Sequence, residues 1–121
     1  MDEETPVLDT LAAMTAVSIE NSTLGNRELM LARIAGLAAV DAPAISYLMN
    51  VGAAADSGIT VDDVQGVLIA IAPIIGTART VSAAARIAEA LGFAIAAITA
   101  ELEDELEAME AEEAAQVGDE A

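Results

Sequence analysis

The 121-residue sequence contains no cysteine, no histidine, no lysine and no tryptophan. Without cysteine the chain has no disulfide framework, no thiolate nucleophile and no thiolate metal ligand. Without histidine it lacks the side chain that most often binds metals and transfers protons near neutral pH. These absences predict a protein with no metal site and no cofactor, in which any proton transfer falls to carboxyl or tyrosine groups.

Basic residues are few and scattered along the chain. Four arginines face 21 acidic residues, which gives a formal net charge of −17. No basic stripe exists that could follow a nucleic-acid backbone or an anionic membrane surface. The longest run without a charged residue, 64–78, has 15 residues and includes Pro73, whereas a bilayer span needs about 20. With an acidic N-terminus unlike a signal peptide, we expect a cytoplasmic protein with no nucleic-acid and no membrane partner.

Hydrophobic residues make up 55% of the chain, but only one phenylalanine and one tyrosine are among them. The interior must therefore be filled with small and aliphatic side chains, a composition that favours closely packed helices. A domain of this size buries a smaller share of its surface than a large one, and it cannot hide so many apolar positions alone. The composition therefore predicts a homo-oligomer.

The apolar residues recur every three or four positions and never alternate with period two, which predicts an all-α chain of about six helices. Helix boundaries are marked by caps, prolines and glycines. The predicted starts are Pro6 after an N-cap Thr5, Asn26 as an N-cap, Pro43 as a first helical residue, Thr60 with Asp63 as a capping box, Thr77, and Phe93 after a stop at Gly92.

The C-terminal stretch 101–121 contains 10 of the 21 acidic residues and no basic one. An apolar stripe enters it at helical spacing and ends at Met109. The spacing predicts a helical domain over residues 1–113 and an acidic disordered tail over 114–121. Glu101, Asp104, Glu105 and Glu107 are interpreted as a solvated face rather than a cation site.

Three segments carry a family resemblance: Arg-Glu-Leu at 27–29, Gly-Ile-Thr-Val-Asp-Asp-Val at 58–64 and Ala-Pro-Ile-Ile-Gly at 72–76. Over roughly residues 24–92 the chain resembles the carboxymuconolactone decarboxylase and alkylhydroperoxidase AhpD-like family. The resemblance implies an AhpD-like helical bundle that assembles into rings, with a trimer or a hexamer as the expected state.

The thiol-dependent members of that family keep Glu, Cys, Cys and His where this chain has Glu28, Val40, Pro43 and Tyr47. The thiol–disulfide cycle that the resemblance implies cannot run without sulfur. A lactone decarboxylase branch does not need the cysteines. For that branch the candidate proton-transfer residues are Glu28 and Tyr47, and the candidate binding pocket is formed by Val40, Pro43, Tyr47 and Arg79.

Three functional interpretations follow. The leading one is a cytoplasmic, AhpD-like oligomer without thiol peroxidase chemistry that serves as a non-catalytic binding or structural component. The second is a cysteine-independent decarboxylase-type enzyme for a small carboxylate. The third is a protein-interaction module that uses the acidic C-terminal helix, residues 101–121.

Simpler interpretations compete at each candidate site residue. Glu28 is then a first-turn acid favoured by the helix dipole, and Tyr47 is a core or interface aromatic residue. Arg33 and Arg86 lie in apolar stretches and are each expected to pair with a carboxylate, such as that of Glu28, Asp41 or Asp56. Arg79 lies near the N-terminus of the fifth predicted helix and is a candidate contact for an anion.

Overall fold

The computed structural model describes residues 4–120, with side chains for 4–116. Within this part the chain is all-α, as predicted, and has five helices instead of about six. The helices are α1 (Pro6–Asn21), α2 (Asn26–Ala39), α3 (Ala44–Asp56), α4 (Val61–Ile75) and α5 (Thr77–Glu120).

Five of the six predicted helix starts are correct to within one residue, and the sixth, Phe93, lies inside α5. The Thr60–Asp63 capping box is confirmed: the Thr60 hydroxyl accepts a bond from the Asp63 backbone N–H, and the Asp63 carboxylate accepts one from the Thr60 N–H. Pro6 occupies the first turn of α1, as predicted. Two assignments were wrong by one position, because Gly25 and not Asn26 is the N-cap of α2, and Pro43 is the N-cap of α3 and not its first helical residue.

The predicted stop at Gly92 was wrong, and α5 runs through it without a break. Glycine ends a helix when the backbone turns to positive φ, as it does at Gly58 (φ 76°) and Gly76 (φ 88°). Gly92 does not adopt such a φ. The helix also continues past Glu113, so the segment 114–120, predicted to be disordered, is helical here; Ala121 lies outside the described residues.

The core of the bundle is small. α2 packs against α3, α4 and the first half of α5, and α5 crosses α3 and α4. Most of the bulk of this interior comes from aliphatic residues of α2 and from Tyr47, while alanines occupy the remaining buried positions. The buried residues of the described part are Leu29, Met30, Ile34, Ala38, Ala42, Tyr47, Ala83 and Ala90.

A network of polar contacts joins the N-terminus of α2 to the N-terminus of α4. The Arg27 guanidinium donates to both oxygens of Asp63, at 2.6 and 2.9 Å, and also to the Gly58 carbonyl at 3.1 Å. The Arg27 hydrogen bond and the Thr60 bonds to the same carboxylate hold the pKa of Asp63 well below its usual range. The Asp63 side chain thus takes part both in the N-terminal cap of α4 and in the contact between α2 and α4.

Substituting Gly92 with alanine is expected to stabilise the protein. A Cβ built at Gly92 meets no atom within 4 Å, and glycine inside a helix costs roughly 0.5–1 kcal/mol relative to alanine. Denaturant unfolding followed by circular dichroism measures the gain. Gly58→Ala is the matched control: it also has open space but positive φ, so it should destabilise. Loss of stability in Gly92→Ala would contradict an unbroken α5.

Asp63→Asn is expected to lower the free energy of unfolding at about pH 7, and this deficit should shrink as the pH falls below the ordinary aspartate value of 3.8. Because the folded-state pKa is depressed, the unfolded chain binds more protons in that range. The contribution of Asp63 is therefore complete above the unfolded pKa and is lost on acidification. Asp62→Asn, in the same helical turn but outside this network, is the control. If Asp63→Asn lowered the free energy of unfolding equally at every pH, the contribution of the ionised Asp63 carboxylate to stability would be refuted.

Candidate functional site

A cleft of about 140 Å³ lies between α2, α3, α4 and α5. Both small and larger aliphatic side chains from these helices line it. Its walls are almost entirely apolar, and no charged side chain lines it. The lining residues are Ile34, Leu37, Tyr47, Asn50, Val51, Ala54, Ala55, Ile59, Thr60, Val61, Val64, Ile87, Ala90 and Leu91.

Tyr47 is the one aromatic side chain of this cleft, and it is only 5% exposed. Its hydroxyl has no hydrogen-bond partner among the described residues. Burial, with a smaller effect from the negative charge of Asp41, raises the pKa of Tyr47 above its usual value. The hydroxyl therefore stays protonated at neutral pH, and the tyrosinate that could act as a base is even less populated there than that of an ordinary tyrosine.

The other polar side chains of the cleft already have partners. The Asn50 amide nitrogen donates to the Ser46 carbonyl at 2.8 Å. The Thr60 hydroxyl donates to the Asp63 carboxylate at 2.9 Å and accepts from the Asp63 N–H at 3.1 Å. The Tyr47 hydroxyl has no partner in the described part of the chain, but it is fully buried and is not open to the cleft.

The structure separates Tyr47 from the rest of the predicted pocket. Val40, Pro43 and Arg79 are exposed and do not line the cleft. The Arg79 guanidinium donates at 2.7 Å to the Ala39 carbonyl at the end of α2, a contact that stabilises a helix C-terminus. Whether these three residues contact a ligand elsewhere stays a prediction.

A second contact attaches the start of α5 to the turn between α2 and α3. The Ser82 hydroxyl donates at 2.6 Å to the carboxylate of Asp41, a residue with positive φ of 54°. Asp41 tolerates this left-handed conformation better than most residues. Arg79 and Ser82 together therefore anchor α5 beside Val40, which places the Arg79 side chain in a structural contact.

Glu28 lies in the first turn of α2 and is exposed. Its carboxylate folds back over Gly25, since a Cβ at Gly25 would lie 2.7 Å from the Glu28 Oε2 atom. A negative charge at this place is favoured by the helix dipole. Glu28 does not line the cleft, so the structure does not bring the two candidate proton-transfer residues into one pocket.

Of the two expected ion pairs, that of Arg86 is present with another carboxylate than those named, and that of Arg33 is absent among the described residues. Arg33 donates to the Ser18 hydroxyl at 3.4 Å, and Arg86 lies 3.8 Å from Glu89 on its own helix. The two-point ion pair of the described residues belongs instead to Arg27. The described residues also contain no group of three acidic side chains arranged to hold a metal ion.

The length and composition of helix α5 do not support the predicted absence of a membrane partner. Between Thr77 and Gln116 it is long and apolar enough to cross a bilayer by length and composition, and only 11% of the most apolar window is buried. No charge-free run of α5 is long enough to span a bilayer, but only a few charged residues interrupt its apolar stretch. The cytoplasmic location stays a prediction.

Comparison of this chain with protein-family models, with curated proteins and with solved structures found no match. The resemblance to the AhpD-like family is therefore an interpretation of sequence motifs, and the geometry of the site carries the functional argument.

The wild-type protein is expected to lose stability at high pH as Tyr47 titrates, and the Tyr47→Phe variant should lack this loss. Because the folded-state pKa of Tyr47 is raised, the folded protein holds its proton more tightly, and stability falls as the pH rises above the ordinary value of 10.0. Tyr47 is the only tyrosine, so tyrosinate absorbance reports its titration directly. Unfolding of both proteins should be compared from neutral to alkaline pH. A Tyr47 titration at or below the ordinary value would contradict its burial.

Proposed function

We propose that this chain is the subunit of a cytoplasmic homo-oligomer, with an AhpD-like bundle, that serves as a binding or structural component without thiol peroxidase chemistry. The observation that carries the proposal is the amount of apolar side chain left outside the bundle. Within the described residues eight hydrophobic side chains are buried, whereas twenty large ones are exposed. Such a surface needs a partner.

The accessible surface supports the same conclusion. The chain exposes 8515 Å², whereas a compact monomer of 12.2 kDa is expected to expose about 6,100 Å². The excess of roughly 2,400 Å² per subunit is of the size that permanent assemblies bury.

Two unpartnered apolar stripes contain ten of the twenty exposed large hydrophobic side chains. The α1 stripe is formed by Val7, Leu8, Leu11, Met14 and Val17, which are 48–70% exposed. The α5 stripe is formed by Ile95, Ile98, Leu102, Leu106 and Met109, which are 55–66% exposed. Helix α1 contributes no buried residue. The stripes extend along about 15 and about 21 Å of helix, respectively, so each offers a contact surface of similar length.

Charge favours contact between the α1 stripe of one subunit and the α5 stripe of a second. Residues 101–113 of α5 contain eight acidic residues and no base, while α1 contains only two acidic residues. Pairing two α5 stripes would bring the two acidic sets together, and like charges at close range repel. A contact between two different faces is heterologous and closes into a ring when the rotation allows it, which agrees with the expected trimer or hexamer.

A second copy fits α5 better than a bilayer does. The first half of the helix already packs in the bundle through Ala83, Ile87 and Ala90. Beyond residue 100 the acidic residues surround the apolar stripe, so only one narrow face is apolar. Such a one-sided stripe is typical of helix–helix contact, whereas a spanning helix is apolar on all sides.

Leu11→Glu and Leu106→Glu are each expected to dissociate the oligomer, because each places a charge in the centre of an apolar stripe. Multi-angle light scattering at micromolar concentration measures the mass. The matched controls are Ala16→Glu and Ala108→Glu, which add the same charge about 140° and 200° around the same helix, respectively, and should leave the mass unchanged. A wild-type monomer of 12.2 kDa would refute the proposal.

The pairing of stripes has its own test. Because the chain has no cysteine, a disulfide between added cysteines identifies the contact unambiguously. Mixed Leu11→Cys and Leu106→Cys subunits should crosslink to each other, whereas either variant alone should not. Crosslinking of Leu106→Cys with itself would contradict the α1–α5 pairing. Flotation of the wild-type protein with phosphatidylcholine vesicles would show that a bilayer covers α5 instead.

A further inference from the structure

The cleft between α2, α3, α4 and α5 reaches from the core of the bundle to its surface. It is lined by the buried residues Ile34, Tyr47 and Ala90 and by the exposed residues Thr60 and Val61. We propose that it binds a small, uncharged molecule that has the size of a single ring and carries no hydrogen-bond acceptor. Every residue that lines the cleft belongs to one subunit, so the site does not depend on the assembly proposed above.

The size of the cleft sets the size of the ligand. Its volume is about 140 Å³, close to that of apolar protein cavities that take up benzene. Because Thr60 and Val61 are exposed, a molecule can enter from solvent. The ligand therefore has on the order of six to eight non-hydrogen atoms, as in a single ring with one small substituent.

The polar side chains of the cleft offer a ligand little hydrogen bonding. The Asn50 amide nitrogen already donates to the Ser46 carbonyl, and the Thr60 hydroxyl already donates to the Asp63 carboxylate. The Tyr47 hydroxyl is fully buried and is not open to the cleft. An acceptor that moves from water into the cleft therefore loses hydrogen bonds that the wall does not replace. A hydrocarbon has no such cost and is favoured by its removal from water.

The wall also excludes a charged ligand. A carboxylate that leaves water needs a cation or several donors, and no arginine lines the cleft. Arg79, the candidate anion contact, is bonded to the Ala39 carbonyl. The small carboxylate expected for a decarboxylase-type enzyme therefore does not fit this cleft.

A second copy of the chain is the other possible occupant, and the dimensions of the stripes argue against it. The α5 stripe begins at Ile95, one helical turn beyond Leu91 at the wall of the cleft. The α1 stripe is about 15 Å long and the α5 stripe about 21 Å. The α5 stripe alone can therefore accommodate the α1 stripe, and the contact between copies does not need the cleft.

Benzene and pyrazine test the proposal because they have the same ring shape, while pyrazine carries a nitrogen acceptor at each of two opposite ends. At least one nitrogen of a bound pyrazine must then face the wall. Binding is measured by NMR titration of the full-length protein, following the methyl groups of Ile34, Val64 and Ile87. Benzene should bind about tenfold or more tightly than pyrazine, the difference expected for one acceptor that loses its hydrogen bonds.

A matched pair of variants locates the site. Ala54 lines the cleft, whereas Ala53 is exposed and does not line it. Ala54→Leu should abolish benzene binding by filling the space, and Ala53→Leu should not change it; circular dichroism checks that both variants are folded. Equal binding of benzene and pyrazine would show that a polar group such as the Asn50 amide serves the ligand. That result, or no benzene binding to the wild-type protein at millimolar concentration, would overturn the proposal.

The Leu106→Glu variant separates this proposal from the assembly. Its mass reports the contact between copies, whereas its benzene affinity reports the cleft. Benzene should bind the variant and the wild-type protein equally tightly, whatever their masses. If benzene bound only the variant, a neighbouring subunit would cover the cleft in the wild-type protein, and the proposed ligand would be refuted.

Discussion

Close approach of helices through alanine is the constraint on which this structure depends. Ala38, Ala83 and Ala90 are at most 1% exposed, and side chains of this size let neighbouring backbones come close together. Because the helices lie so close together, the interior has little volume for large aliphatic residues. Many of them therefore remain outside, where they form the α1 and α5 stripes, and the gap that the alanines do not fill is the cleft beside Tyr47.

Polar contacts determine how the helices are joined at their ends. Arg27 connects the start of α2 to the capped start of α4 through Asp63, while Arg79 and Ser82 attach the start of α5 to the turn after α2. Arginines that would be the natural anion contacts are thus used to stabilise the bundle. None of these arginines lines the cleft, which is free of charged side chains.

Local signals in the sequence predicted local structure well. The capping box at Thr60 and the proline start at Pro6 depend on contacts within one helical turn, so they could be identified without knowing the fold. Gly92 was misread because glycine both ends helices and occurs inside them, and only the backbone φ separates the two cases. The partners of Arg33 and Arg86 were also unpredictable, because long side chains reach groups whose positions depend on packing.

The all-α class, the negative charge, the absence of thiol chemistry and the shortage of large core residues follow from the sequence by itself, because composition and periodicity determine them directly. The tertiary structure decided the position of each candidate residue. It placed Tyr47 in an apolar cleft, and it left Val40, Pro43, Arg79 and Glu28 outside that cleft. The reason is that a pocket is formed by side chains from several helices, and their relative rotation depends on packing across the whole bundle.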